Sequence, residues 1–436
     1  FPTRRSSDLM KKIVILGAGT AGTIMANRLR KTYKKQIRQG EMGITIVDQD
    51  DNHIYQPGLL FVPFGMYQPK DIVRSRRHYL PDDVQYVQSE IQRVEATEDR
   101  VYLGDGQTLD YDVLIVATGA QLVPEETEGL LGEGWRDKVF DFYTMEGATA
   151  LSEKMANFEE GKLVVNFVDL PIKCPVAPLE FIFLADSFFR RRGVREKIEL
   201  TLVTSLDHCF TRPVAAEAFG SGLEDKGIHM VTDFATGSVD GAAGKLRSWD
   251  ERELEFDLLI SIPLHGGASF VAASPGLGDE LNFVKTHKAT LQAECKDNIF
   301  ALGDATNVPT SKAGSVAHFQ SESLIDNIVR FIDGKPLEET FDGHTNCFIE
   351  TGFDKAMLID FNYEVEPLPG TFPLAGIGPM QLLKETRLNH WGKLMFKWIY
   401  WNMLLRGRDL PMVSSQMSMK GKRQPVTTDD DTAKAA

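Results

Sequence analysis

The sequence predicts an α/β chain of two Rossmann-like dinucleotide-binding domains, the first split by insertion of the second, followed by an amphipathic C-terminal region. Three observations predict it. Lys11 to Leu16 reads as a buried parallel strand and runs directly into Gly17-Ala18-Gly19-Thr20-Ala21-Gly22. Two later strand-like runs, Tyr111 to Gly119 and Asn298 to Asn307, end in turns of small and acidic residues. Between them, Leu163 to Ser187 repeats the strand–loop–helix plan with no glycine in its loop.

The first segment suits a pyrophosphate. Gly17 permits a tight turn, Gly19 lets the backbone approach the phosphates, and Gly22 lets helix and strand pack closely. Thr20 and Ala21 open the helix, whose N-terminus favours an anion. A second strand, Ile44 to Val47, ends in Asp48, placed to accept hydrogen bonds from a ribose hydroxyl. Strand, glycines, helix and acid stand in order at the spacing of a dinucleotide site, but they do not say which dinucleotide.

The two later runs address that. YDVLIVATG, with Ala117, Thr118 and Gly119 at its turn, resembles the second characteristic stretch of two-dinucleotide-domain flavoproteins. NIFALGDATN resembles their third, in which the positions of Gly303 and Asp304 lie beside the ribityl or pyrophosphate part of FAD. The resemblance implies FAD as the cofactor.

Length and composition agree with such an enzyme. A chain of 436 residues exceeds the ~250–300 residues at which single cores stop growing. The expected partition is an FAD domain over 10–120 and 286–345, a second domain over 121–285, a C-terminal region over 346–410 and a disordered tail over 411–436. Residues 1–9 read as a leader extraneous to the fold, with Met10 the natural start and no signal peptide recognised. A net charge of −14 argues against a nucleic-acid partner. No run of ~18 apolar residues predicts a spanning helix.

The four cysteines, 174, 209, 295 and 347, are far apart and form no metal-ligand spacing, so no metal site is expected. Cys295 sits in a polar stretch and reads as a bystander, and Cys209 falls in a loop after a strand. Cys174 is framed by Pro171, Pro175 and Pro178 at a helix start, where the helix dipole is expected to lower a thiol pKa. A loop that should hold a nicotinamide dinucleotide instead presents a thiol. The strand IELTLVTS of the same domain also lacks a terminal acid for an adenosine ribose.

With that loop the resemblance becomes specific. Tyr55-Gln56-Pro57-Gly58-Leu59, Lys173-Cys174-Pro175, the Gly303 to Asn307 turn, Thr310 to Gln320 and Cys347 resemble the sulfide:quinone oxidoreductases over roughly 10–420. The resemblance implies that Cys174 and Cys347 flank the flavin as the redox pair. Sulfide would be oxidised to polysulfide or elemental sulfur, and two electrons would pass to a membrane quinone. Glu180, in the first helical turns after Cys174, is close enough in sequence to serve as a proton acceptor, beside the alternative of a first-turn acid that complements the helix dipole. Lys312 matches a position near the flavin ring, where a cation would favour the reduced anion. Many members have a third essential cysteine between the second FAD stretch and Cys174; Gln121 to Lys173 contains none. The chain is therefore identified with the subgroup lacking it, and a substitute role for Cys209 stays open. His318 and Glu322, four residues apart, suit a cap or packing role as well as a proton relay.

Residues 384–408 hold three of the chain's five tryptophans among basic side chains. That composition suits the headgroup boundary of a bilayer, with packing on the chain's own domain as the alternative. The expectation is a peripheral, monotopic attachment to a prokaryotic cell membrane, with a quinone channel rimmed by Phe372 to Pro379. Phe348, Gly378, Pro379 and Lys384 are the candidate quinone contacts. A homo-oligomer is compatible with the sequence, which does not set its size. Competing readings are an NADH:quinone oxidoreductase, a flavocytochrome c-type sulfide dehydrogenase subunit, and a membrane-docked persulfide sensor or sulfur carrier.

Overall fold

The computed structural model describes residues 10–423, so the leader over 1–9 and the part of the tail beyond 423 lie outside the described residues. The first sheet has five parallel strands in the order Ile299–Ala301, Val113–Val116, Lys11–Leu16, Met42–Asp48, Gln85–Gln88. Of its central strands, Val113–Val116 is buried throughout and Lys11–Leu16 from Ile13 onward, as expected of strands covered on both faces. The loops after three of them leave one edge together. Gly17 N–H donates to Val47 O at 2.8 Å, Ala117 N–H to Leu16 O at 2.8 Å and Leu302 N–H to Val116 O at 3.1 Å. Ligands of open α/β sheets bind outside this carboxyl edge.

A second five-stranded parallel sheet runs Val139–Phe140, Leu258–Ile262, Gly161–Phe167, Ile198–Thr204, His229–Val231. The helix Ala177–Arg192 follows its central strand and ends at Gly193 in the left-handed conformation, φ +74°. Two parallel sheets of dinucleotide-binding type bear out the expected fold class.

A third sheet of four strands, Thr345–Gly352, Lys355–Phe361, Gly378–Leu382 and Gly370–Leu374, carries Cys347 opposite Ile359. The helix Arg387–Ile399 packs on this sheet, capped by Thr386 Oγ1 accepting from Asn389 N–H at 3.0 Å. It continues into a π-helical turn, Tyr400–Leu404. Among the described residues no helix is long and apolar enough to cross a membrane.

Two C-terminal expectations change. Trp401, grouped by sequence with a lipid-facing surface, is 2% exposed and packs against His53, Tyr55 and Tyr79. Trp391 and Trp398 are exposed. The first part of the tail, expected to be disordered, is largely exposed over 411–420 but is anchored to the third sheet at 421–423. The reason is a buried charge: Lys422 pairs with Asp360, which also accepts from the His344 ring at 2.8 Å. Backbone bonds from Thr371 N–H to Gly421 O (3.0 Å) and from Arg423 N–H to Pro369 O (2.8 Å) hold the segment down.

Candidate active site

One cavity of about 400 Å³ gathers residues from all three sheets. At one end stand Gly19, Thr20 and Ala21, the turn Ala117-Thr118-Gly119, and Gly303 and Asp304. Gly17 and Gly22 shape this end from behind. Gly17 has φ +94°, and a β-carbon on it would lie 2.6 Å from Ala117 O; one on Gly22 would lie 1.8 Å from Gly17 O. A β-carbon on Gly19 would meet nothing within 4 Å, so the space in front of the loop is open. Thr118 Oγ1 is buried there with no hydrogen-bond partner among the described residues. An open glycine cradle, an orphaned hydroxyl and the Asp304 carboxyl fit a flavin dinucleotide.

Asp48 does not line the cavity. Its Oδ2 accepts from Ala18 N–H at 2.6 Å and lies 3.0 Å from Arg76 Nη1, so it braces the glycine loop from outside. Lys312 does line it, with its ammonium donating to Asp304 O at 3.0 Å and Thr306 O at 2.8 Å. The lysine thus staples the Gly303–Thr306 turn, and burial lowers its pKa to about 8.

Cys174 and Cys347, 173 positions apart in sequence, both reach this cavity, and both are half-buried free thiols. Cys174 takes a left-handed backbone conformation, φ +48°, which costs a non-glycine residue about 1–3 kcal/mol. Its N–H donates to Lys312 O at 2.7 Å, and its carbonyl accepts from Ala177 N–H at 2.8 Å and from the Tyr143 hydroxyl at 3.3 Å. These bonds pin the strained residue in place. The helix start was expected to lower its pKa. Burial does the opposite, and Glu180 adds to the rise while Lys393 opposes it. Cys347 is pushed up to about 12, again by burial first, with Lys393 lowering and Glu180 raising it.

Glu180, on the first turn of the helix Ala177–Arg192, is 1% exposed. Its Oε1 accepts from Lys393 Nζ at 2.5 Å and from Glu350 N–H at 2.8 Å. Lys393 was not singled out by sequence, which read the basic residues of 384–408 as interfacial. A lysine among tryptophans carries no local mark of pointing inward; its place after the small Gly392 is the only available hint. Lys384, favoured instead, is exposed, and Asn389 caps its carbonyl.

Of the other quinone candidates, Phe348 lines the cavity beside Phe372, Pro373, Met380 and Phe396. Gly378 and Pro379 lie on the adjoining strand and do not line it. His318 lines it, fully buried, with Nε2 3.2 Å from Glu322 Oε1. Cys209 is buried elsewhere, its Sγ 3.3 Å from Ala216 O, and contributes nothing to the cavity. Cys295 packs outside the cavity, beside the first sheet.

Fold and site together define a flavin-dependent oxidoreductase of the two-dinucleotide-domain class, with FAD as its cofactor. The pyridine nucleotide-disulphide oxidoreductase family matches residues 11–165. Within that class the expected resemblance to the sulfide:quinone oxidoreductases holds over nearly the whole chain. The mitochondrial sulfide:quinone oxidoreductase of Dictyostelium discoideum is 28% identical over 414 residues, covering 93% of this chain and 88% of its own. That of Mus musculus is 28% identical over 408 residues, covering 91% and 86%. The sulfide:quinone oxidoreductase of Aquifex aeolicus shares the fold at a TM-score of 0.75 and 19% identity, covering 91% of this chain and 92% of that one.

Proposed function

We propose that the protein oxidises sulfide through a Cys174/Cys347 pair and passes two electrons by way of FAD to a membrane quinone. The observation that carries this reading is the convergence of both cysteines on the cavity lined by the flavin-type turns. The whole-length similarity to proteins named for that reaction supports it.

The residues divide the work. Hydrosulfide attacks a sulfur of the oxidised pair; a new S–S bond forms, the bond between the cysteines breaks, and one cysteine leaves as thiolate. Glu180 is the proton acceptor for the sulfur-bound proton. Tyr143 and Lys312 hold the Cys174 backbone at its strained angle, which aims the thiol into the cavity. When bound, FAD supplies the two-electron acceptor that links sulfur to quinone. Phe348, Phe372, Met380 and Phe396 offer an apolar mouth for the quinone ring. Leu388, Trp391, Met395 and Trp398 share one exposed face of the adjoining helix, and Ile377 is exposed on the neighbouring hairpin, a surface suited to the headgroup boundary of a bilayer.

The test is anaerobic addition of sulfide to the FAD-loaded protein, followed by a quinone analogue. Prompt bleaching and recovery of the flavin spectrum, lost in Cys174→Ser and Cys347→Ser, is the expected result. Unchanged bleaching in both variants would sink the role of the pair, and bleaching by NADH instead would favour the dehydrogenase reading. Sulfide binding without quinone reduction would favour a sulfur carrier. Trp391→Ser/Trp398→Ser should weaken sedimentation with anionic vesicles while leaving sulfide-driven bleaching in solution intact.

A further inference from the structure

The helix Arg387–Ile399 has two unlike faces. Its outer face bears the exposed tryptophans, while Lys393 turns inward with its side chain 12% exposed. Besides Glu180, Lys393 Nζ donates to Phe348 O at 2.8 Å, the carbonyl of the residue after Cys347. The ammonium therefore sits between the two cysteine segments. The titratable groups acting with it are Glu180 and Cys174 on one side, Cys347 and Glu350 on the strand Thr345–Gly352, and Tyr67. On its own helix, His390 is engaged by Glu350 at 2.9 Å.

Two features make this pair unlike a plain structural brace. Glu180 Oε1 is also held by Glu350 N–H, so the carboxyl keeps its place if the lysine leaves. Lys393, by contrast, hangs on a flexible four-carbon stem. Opening the sulfur bridge brings one unit of negative charge into a space that already holds a buried carboxylate, and two anions there disfavour each other.

We propose that Lys393 is the cation that receives the sulfur anions at Cys174 and Cys347, handed over from Glu180 when that carboxylate is protonated. The inference rests on the sulfide reading above and adds a residue to it. Hydrosulfide enters carrying one negative charge and forms a persulfide on one cysteine as the other leaves as thiolate. The persulfide proton passes to the Glu180 carboxylate, leaving a persulfide anion. Glu180 becomes neutral and releases the ammonium, which turns to the sulfur. The charge brought by hydrosulfide is conserved and no electron has yet left sulfur.

The test titrates the thiols directly. The FAD-loaded protein is reduced, desalted anaerobically and treated with iodoacetamide across a pH series, with alkylation at each cysteine read by peptide mass spectrometry. Glu180→Gln should lower the pH at which both thiols react, because the competing anion is gone and the cation remains. Adding Lys393→Met should move both titrations back up by about one pH unit or more, a tenfold loss of thiolate at fixed pH. Adding Lys393→Arg instead should keep the lowered value. The Glu180→Gln/Lys393→Met double variant removes both charges of the buried pair, so it strands neither partner, and circular dichroism of each variant reads its folding directly. Sulfide-driven bleaching should fall at least ~10-fold in Lys393→Met and recover in Lys393→Arg, each read at equal FAD content. Titrations indifferent to Lys393, in a wild type whose flavin is bleached by sulfide, would overturn the proposal. A wild type that sulfide does not bleach, with the titration shifts intact, would support the cation's placement and overturn the sulfide reading instead.

Discussion

Thr20 and Tyr400 meet hydroxyl to hydroxyl at 2.6 Å, although 380 positions separate them. The bond ties the first residue of the glycine-loop helix to the turn that follows the tryptophan-bearing helix. Tyr400 also lies 2.7 Å from His53 Nε2, and burial lowers the histidine pKa to about 3, so this imidazole is neutral. The C-terminal region is thus fastened to the dinucleotide loop by a buried polar bridge.

Tyr400→Phe removes both bonds and leaves His53 without that partner. The expected loss is about 1–3 kcal/mol, the cost of a stranded buried polar group. It should be visible as a lower midpoint in calorimetry of the FAD-loaded protein and as faster FAD release on dilution. An unchanged midpoint would show that the bridge is not a fastening.

The second and third glycines of the loop, Gly19 and Gly22, separate cofactor binding from folding. Gly22→Ala places a carbon against the Gly17 carbonyl and should destabilise the domain itself. Gly19→Ala has room in the free protein, so it should fold with near wild-type circular dichroism yet purify with little FAD. Absorbance at the flavin bands against protein content reads the difference.

Gly392→Ala probes the apolar mouth. The added carbon would stand 2.8 Å from Met380 Cε and 2.8 Å from Phe348 Cζ. The methionine end can yield, but the ring must move with its strand. The expected result is a raised KM for a quinone analogue with sulfide-driven bleaching within about twofold of wild type, since each factor of ten needs ~1.4 kcal/mol. Equal loss in both half-reactions would refute a role confined to that mouth.

His390 gives a pH signature. Its hydrogen bond to Glu350 raises its pKa above the ordinary 6.5, burial opposing. A group raised on folding adds stability that is fully present below its unfolded pKa and is lost as pH climbs through the folded one. The stability advantage of wild type over His390→Gln should therefore be greatest below about pH 6.5 and shrink above it. Urea unfolding at several pH values measures this, and a gap that widens with pH would contradict the pairing.

Much of the fold was legible because its signals are local. Lys11 to Gly22 carries strand, turn and helix start within twelve consecutive residues, and the turns at Gly119 and Gly303 follow the same grammar. Cys174 was legible as an exception to that grammar, and Cys347 through family resemblance. Their electrostatics were not. The helix-dipole argument for Cys174 considered one neighbour, whereas burial by three sheets outweighs it. Lys393 escaped because its meaning lies in a contact with Glu180, 213 positions away. Trp401 was misread for the opposite reason: composition places a tryptophan at an interface, but the π-helical turn rotates this one into the aromatic cluster around Tyr55 and Tyr79.

The two-faced helix has a practical consequence for anyone dissecting this protein by truncation. Deleting it to create a freely soluble version would also delete Lys393 and the Gly392 contact with Phe348. On the proposed role of Lys393, such a fragment would lose its chemistry whether or not it ever needed a bilayer. On the proposed reading, attachment and catalysis would be separable only by single side chains on the outer face, never by a cut in the chain.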